Sequence, residues 1–324
     1  MATVKVAIAG ASGETGRSIV NALLESSMAK FEIVNLTRPA SLDKPINAEM
    51  KSRGVTIAPA ELTGPQDKLI KLLSGIDVVI STILVTDRDD ETRLATAAKL
   101  AGVKRFVPCA FATVAPPRGV MKLRELKEDT LDHILKIRLP YTFIDVGWWY
   151  QITLPRLPSG RIDYAIVVTP ATQNLGLDGN VPNAHTDVRD IGRYVARIIA
   201  DERTLNKKVF VHNEVLTHNQ VYDVLERLSG EKLERNYLSE QEVTARIRKS
   251  EAVLSQNPED IGAAMERSIY EYLLSWGIRG DNVPEYAQYL GYLDGKELYP
   301  DFEFVKFESF VKDVLDGKGK GVYR

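Results

Sequence analysis

The segment Gly10-Ala11-Ser12-Gly13-Glu14-Thr15-Gly16 sets three glycines at GxxGxxG spacing, directly after the apolar run Val4–Ala9. That spacing suits phosphate recognition. A first glycine permits a tight turn out of a strand, a second lets backbone approach a pyrophosphate, and a third lets the next helix pack on the strand. The N-terminus of that helix then offers free N–H groups to the phosphates. A βα turn with no ligand is the competing explanation, but a position after a strand and before a helix is what a dinucleotide site requires. Ser12, Glu14 and Thr15 lie in the same turn and join the candidate set.

The end of the second strand decides between nicotinamide cofactors. A site for NAD places Asp or Glu there to bind the ribose 2′-hydroxyl. Here the residues are Leu36-Thr37-Arg38-Pro39, with no acid. Arg38 can pair bidentately with a 2′-phosphate, and Lys44 can add a second positive charge. Both could equally be ordinary surface cations. The expected cofactor is NADP(H), with Ser81 and Thr82, at the end of the fourth strand, also in its binding set.

A third feature is a lysine in an apolar stripe. Residues 120–137 read VMKLRELKEDTLDHILKI. At about 100° per residue, Leu123, Leu126, Thr130, Leu131, Ile134 and Ile137 share one face. Glu125, Glu128, Asp129, Asp132 and Lys136 form the opposite, solvated face, and Lys122 and Arg124 only flank the stripe. Lys127 falls inside it. Burying an unpaired charge is expensive, so the lysine either snorkels, stem buried and ammonium in water, or serves as a general acid or base beside the nicotinamide. The Tyr-x-x-x-Lys pair of short-chain dehydrogenases is missing from this helix. It occurs only at Tyr292 and Lys296, far from the nucleotide-binding half.

The elements that must position these groups are legible as a pattern. Short β-branched runs (Val4–Ala9, Glu32–Thr37, Val55–Ala58, Asp77–Thr82, Arg105–Pro108, Thr142–Val146) alternate with helical stretches. That alternation predicts an α/β fold, a Rossmann-type doubly wound parallel sheet. Beyond it, IDYAIVV (162–168) reads as a strand, and helices follow near 218–229, 239–249, 259–276 and 302–315. The expected division is an NADP-binding domain over 1–152, with 186–214 packing back onto it, and a smaller mixed α/β substrate lobe over 153–324. The tail GKGKGVYR reads as mobile.

Composition narrows the function classes. Forty-two basic against 44 acidic residues leave a net charge of −2, which argues against broad binding to nucleic acid. One cysteine, Cys109, excludes an intrachain disulfide framework and a multi-cysteine zinc site. The four histidines form no HxH or HExxH pattern, so no metal is expected. The longest apolar run, about Ile76 to Val85, is of strand length and far below the ~20 residues that span a bilayer. No membrane association and a cytoplasmic, reducing location are the expectation.

With these residues in view, the chain resembles the isoflavone reductase-like, NmrA-like group of atypical short-chain dehydrogenases, which includes phenylcoumaran benzylic ether and pinoresinol–lariciresinol reductases. The resemblance covers about residues 3–240. It rests on the glycine turn, LTRPAS, VVISTI, GVKRFVP, LPYTFI and DIGRYVARIIADERTLNKKVFV. Members place a catalytic lysine thirteen residues before the proline of the PYT strand, and Lys127 and Pro140 have that spacing. Where the family usually reads LPSEFG, this chain has Val107-Pro108-Cys109-Ala110-Phe111-Ala112. Leu131 stands at a frequent arginine position, and Gly147 and Trp149 replace an asparagine and another aromatic.

The resemblance implies an NADPH-dependent reductase of an aromatic or polycyclic small molecule of secondary-metabolite type. Hydride would pass to a C=C, C=N or benzylic carbon, with Lys127 as general acid or base. Trp148, Trp149 and Tyr150, which follow the sixth strand, are candidates to stack on that substrate, although packing of the core is the alternative for each ring. Phe111 is a weaker candidate at both substrate and cofactor. Two rival readings stand beside the enzyme: a non-catalytic NADP(H)-sensing regulator of the NmrA type, and a redox-neutral isomerase or cyclase. A small aromatic substrate is the expected partner, and a homodimer is admitted.

Overall fold

A computed structural model describes residues 3–84, 88–168 and 173–323. Val85, the end of the apolar run noted above, lies outside the described residues. The chain divides into two compact units. The first holds residues up to Phe111, Leu126–Asp145 and Val188–Val209; the second holds Ala112–Glu125, Val146–Asp187 and Phe210–Arg324.

The first unit is built on a five-stranded parallel sheet. Its strands are β1 (Thr3–Ala9), β2 (Lys30–Thr37), β3 (Thr56–Pro59), β4 (Val78–Ser81) and β5 (Arg105–Val107), in the order β3-β2-β1-β4-β5. Val6, Ala7 and Ile8 in β1, and Val79 and Ile80 in β4, are essentially inaccessible, as expected of strands covered on both faces. Helices α1 (Glu14–Leu24), α2 (Pro45–Ser52), α3 (Gln66–Leu72), α4 (Arg88–Leu100) and α5 (Lys122–Lys136) lie between or after them. A parallel bridge from Phe106 to Tyr141 leads from β5 to β6 (Thr142–Asp145).

The helix Val188–Ala200 belongs to this same unit and packs on α1. A Cβ on Gly192 would stand 2.0 Å from the Ser18 carbonyl oxygen, so only glycine allows the approach. The Ser18 hydroxyl donates to the Val188 carbonyl (2.5 Å) and accepts from the Gly192 amide (2.9 Å). Buried Arg105 ties down the following turn, donating to Thr142 (2.9 Å), the Ile198 carbonyl (3.1 Å) and Thr204 (2.6 Å).

Two features of α5 differ from the helical-wheel expectation. Arg124 does not flank the stripe; it is 2% exposed and donates to the Thr113 carbonyl. Glu128 is not on a solvated face; it is 6% exposed and pairs with Lys208 at 3.3 Å. The helix is covered on more than one side, and the chain that covers it comes from distant sequence.

The second unit has a three-stranded sheet in which β7 (Trp148–Trp149) runs parallel to Asn183–Thr186, and Glu214–Leu216 runs antiparallel to it. Around Tyr150 a core gathers Leu154, Ile162, Leu175, Val221, Leu225, Phe307 and Val311. The expected strand over 162–168 is absent. Residues 161–165 form turns, with i→i+3 bonds from Asp163 to Gly160 (3.0 Å) and Ala165 to Ile162 (2.9 Å). Ile162, Ala165 and Ile166, three and four residues apart, all reach the core, which a strand of period two cannot arrange. Nor is the whole tail loose, because Val322 is buried.

Candidate active site

The carboxyl edge of the parallel sheet collects most of the candidate residues of the first unit. Ala9 is in register with Leu36 on β2 and Ser81 on β4, and Ile80 with Val107 on β5. Gly10, Thr37-Arg38, Thr82 and Pro108-Cys109 therefore leave the sheet along one edge. The order reverses between β1 and β4, and open α/β sheets bind ligands at that switch point.

The glycine turn is built for close approach. Gly10 has φ +86°, and a Cβ there would stand 2.7 Å from the Thr82 carbonyl oxygen. A Cβ on Gly16 would stand 2.3 Å from the Gly10 carbonyl oxygen. Gly13 caps α1 with no side-chain hydrogen bond, so the first-turn amides of Glu14, Thr15 and Gly16 stay open to an anion. Ser12 is exposed beside them. The Glu14 carboxylate turns aside to pair with Arg17 at 2.6 Å. Thr82 closes the other side, its amide (2.8 Å) and hydroxyl (3.0 Å) both donating to the Ala9 carbonyl. Ser81 Oγ is buried and has no hydrogen-bond partner among the described residues. Arg38 and Lys44 are exposed and make no ion pair among the described residues. An open helix N-terminus, a turn with room only for glycine and two unpaired cations beyond β2 fit a dinucleotide that carries an extra phosphate.

Lys127 does not snorkel. It is 8% exposed, and Nζ donates to the Cys109 carbonyl oxygen at 2.6 Å, at the end of β5. Phe111, two residues on, holds φ +41°, an uncommon conformation for a bulky side chain. Its amide donates to the Ile144 carbonyl (2.8 Å). Burial pushes the Cys109 thiol up to about 11, so at neutral pH it is a poor nucleophile.

The three consecutive aromatics take three different roles in the second unit. Trp148 lines a cavity of about 350 Å³ with Met265, Ile269, Tyr272 and Tyr323. Its ring meets Tyr272 edge-on at 5.0 Å and Trp276 at 5.3 Å. Trp149 stacks on Tyr323 at 6.2 Å. Tyr150 is fully buried between Phe307 and Phe310, and its hydroxyl donates to Glu214 at 2.8 Å; it is core rather than wall. The sequence reading missed Ile261, Met265 and Ile269. They recur at i, i+4 and i+8 on the helix Ile261–Tyr272, yet Ile261 is 79% and Met265 62% exposed. An apolar helical stripe left in water was the available signal. It also missed Glu91, whose buried carboxylate accepts from the Cys109 amide at 2.6 Å.

Three histidines of the second unit are held neutral. Burial lowers His185 to about 4, and lowers His212 and His218 to about 3, with Lys296 and His185 respectively adding to the effect. The native state therefore resists protons that the unfolded chain takes up below its ordinary value near 6.5. Stability is full above that pH and falls as the solution is acidified toward 3–4, by roughly 3–5 kcal/mol per histidine. The melting temperature is expected to drop steadily between pH 6.5 and 4. A melting temperature that stays level over that range would contradict the buried, neutral state of these rings.

The sheet order, the glycine turn and the open helix define a Rossmann-type α/β protein. The sequence profile of the NmrA-like family matches residues 2–310, and the chain belongs to that family. A protein of Aspergillus novofumigatus named asnovolin J 5′,6′-dehydrogenase is 53% identical over 315 residues, 97% of this chain and 96% of that one. The phenylcoumaran benzylic ether reductase TP7 of Nicotiana tabacum is 26% identical, over 95% of this chain and 97% of that one. Among solved structures, the leucoanthocyanidin reductase–NADPH complex from Vitis vinifera superposes with a TM-score of 0.78 at 22% identity, covering 96% of this chain and 99% of that one. Relatives along the whole length are named dehydrogenases and reductases, and the chain is an oxidoreductase. No helix among the described residues is long and apolar enough to cross a membrane.

Proposed function

We propose that this chain is an NADP(H)-dependent oxidoreductase of an aromatic or polycyclic, largely apolar small molecule of secondary-metabolite type, with Lys127 as its general acid or base. The observation that carries the reading is the Lys127 ammonium, buried and fixed at the edge from which Gly10, Arg38 and Thr82 also emerge. When bound, NADP(H) supplies or accepts the hydride at a C=C, C=N or benzylic carbon. The open turn of α1 holds the pyrophosphate, while Arg38 and Lys44 hold the 2′-phosphate. Lys127 moves a proton at the substrate oxygen or stabilises charge that develops there.

The second unit holds an apolar cavity of its own. The cavity beside Trp148 falls within the size range of small-molecule sites, roughly 300–1,000 Å³, and Met265, Ile269 and Tyr272 make it an apolar wall for fused rings. The 53% identical relative, named a dehydrogenase, supports turnover in the oxidative direction as well.

The test follows nicotinamide absorbance with NADPH, and separately NADP⁺, against a panel of polycyclic enones, alcohols and aromatic benzylic ethers. Turnover with one class is the expected result. Tight NADPH binding with no absorbance change across the panel would favour a sensor, and product formation without it an isomerase or cyclase.

A further inference from the structure

We propose that Glu91 is a positioning residue: its carboxylate fixes Cys109, and Cys109 in turn holds the Lys127 ammonium. The inference rests on the reading of Lys127 given above.

Two side chains, Glu91 and Lys127, and one loop residue, Cys109, carry the argument. Pro108–Phe111 follows β5 and has no strand or helix hydrogen bonds of its own. Its geometry comes from outside contacts. The Ala110 amide closes a tight turn on the Pro108 carbonyl (2.8 Å), and Phe111 is tied to Ile144. Cys109 between them spends both backbone groups on charged side chains. Its amide donates to Glu91 Oε1 at 2.6 Å, and its carbonyl accepts from Lys127 Nζ at 2.6 Å. Both are short, just under the roughly 2.7–2.9 Å usual for charge-assisted N–H···O bonds. Glu91 is 5% exposed and makes no ion pair among the described residues, so its carboxylate is committed to this one amide.

A lysine needs such an anchor more than most groups do. Its four-carbon stem is flexible, and its ammonium has three equivalent donors. One donor held at a fixed carbonyl leaves the other two in defined directions, which proton transfer to a bound molecule requires. The carbonyl is only as fixed as the residue that bears it. A loop residue gripped at its amide by a buried carboxylate, and at its carbonyl by the lysine itself, cannot rotate without breaking one grip. Loss of Glu91 also leaves a buried N–H without an acceptor, which drives the loop to rearrange.

The single cysteine of the chain is the clamped residue, so thiol chemistry reads the clamp without any substrate. The full-length protein and E91Q, E91D and E91L are treated with N-ethylmaleimide, and in parallel with trace acetic anhydride. Modification of Cys109 and Lys127 is followed by peptide mass spectrometry, and circular dichroism and melting curves verify folding. Wild type is expected to react slowly at both residues. E91Q keeps an oxygen acceptor and stays within about threefold of it. E91D, charged but too short, and E91L, which has no acceptor, react at least about tenfold faster at Cys109 and faster at Lys127, because an opened thiol regains thiolate character. Wild-type rates in folded E91D and E91L would overturn the proposal, as would an E91Q as reactive as E91L. If E91L does not fold, E91D decides. Neither readout needs turnover. An active K127A enzyme would therefore retire the catalytic reading alone, and wild-type labelling in E91D the clamp alone.

Discussion

Replacing Lys127 with alanine lowers kcat by about 10²- to 10⁴-fold, the usual worth of a positioned general acid or base, and leaves the Kd for NADPH within about twofold. The two effects separate because the residue and the cofactor cradle use different parts of the sheet edge. The proposed cradle is backbone: the turn at Gly10, the open amides of α1 and the Thr82 bonds to Ala9. None of these contacts involves Lys127, whose recorded hydrogen bond runs to the Cys109 carbonyl. Lys127→Met keeps most of the stem volume and is expected to match alanine, which separates lost chemistry from lost packing. Lys127→Arg should also fail, because a guanidinium stays protonated at any working pH and cannot exchange a proton with the substrate. Full activity in the alanine variant would refute the role, and a parallel loss of NADPH binding would make Lys127 a cofactor contact instead.

The second large effect concerns cofactor choice. Arg38→Ala is expected to raise the Kd for NADPH by about 10- to 100-fold and to leave NADH binding almost unchanged. Hydrogen bonds to charged groups contribute about 1.5–3 kcal/mol, and a bidentate arginine–phosphate pair is among the stronger ones. The effect is large here because Arg38 is unpaired among the described residues, with no carboxylate partner to give up. Lys44→Ala should cost less, since an exposed ammonium acts as a screened point charge. The preference of the wild type for NADPH should shrink as salt rises. Calorimetry that found equal affinity for NAD and NADP in the wild type would remove the basis of this assignment.

The helical wheel of α5 shows how far periodicity carries. It set Lys127 between Leu123 and Leu131; Lys127 and Leu131 are buried, and Leu123 is half-buried. It also put Glu128 in water and Arg124 at the margin, and both are buried. A wheel records which residues share a face, but not how many faces are covered. Glu128 meets Lys208, eighty residues away, and Arg124 meets Thr113 in a loop. The aromatic triplet repeats the lesson. Trp148, Trp149 and Tyr150 are indistinguishable in sequence, yet one lines a cavity, one stacks on Tyr323 and one is core.

What the sequence alone determined is the local geometry of the proposed cofactor end. Its requirements are local: a strand, a glycine turn in which a Cβ at Gly10 or Gly16 would collide with backbone, an uncapped helix and a cation where an acid would select the other cofactor. Backbone sterics act between near neighbours, so their signature is written in consecutive residues. What only the tertiary structure decided is where the buried charges meet. That Glu91 grips the amide of Cys109 and Lys127 its carbonyl depends on α4, the end of β5 and α5 converging, each eighteen residues from the next along the chain. Desolvation and hydrogen-bond geometry set that arrangement. Both are properties of three-dimensional neighbours, and no spacing in the sequence encodes them.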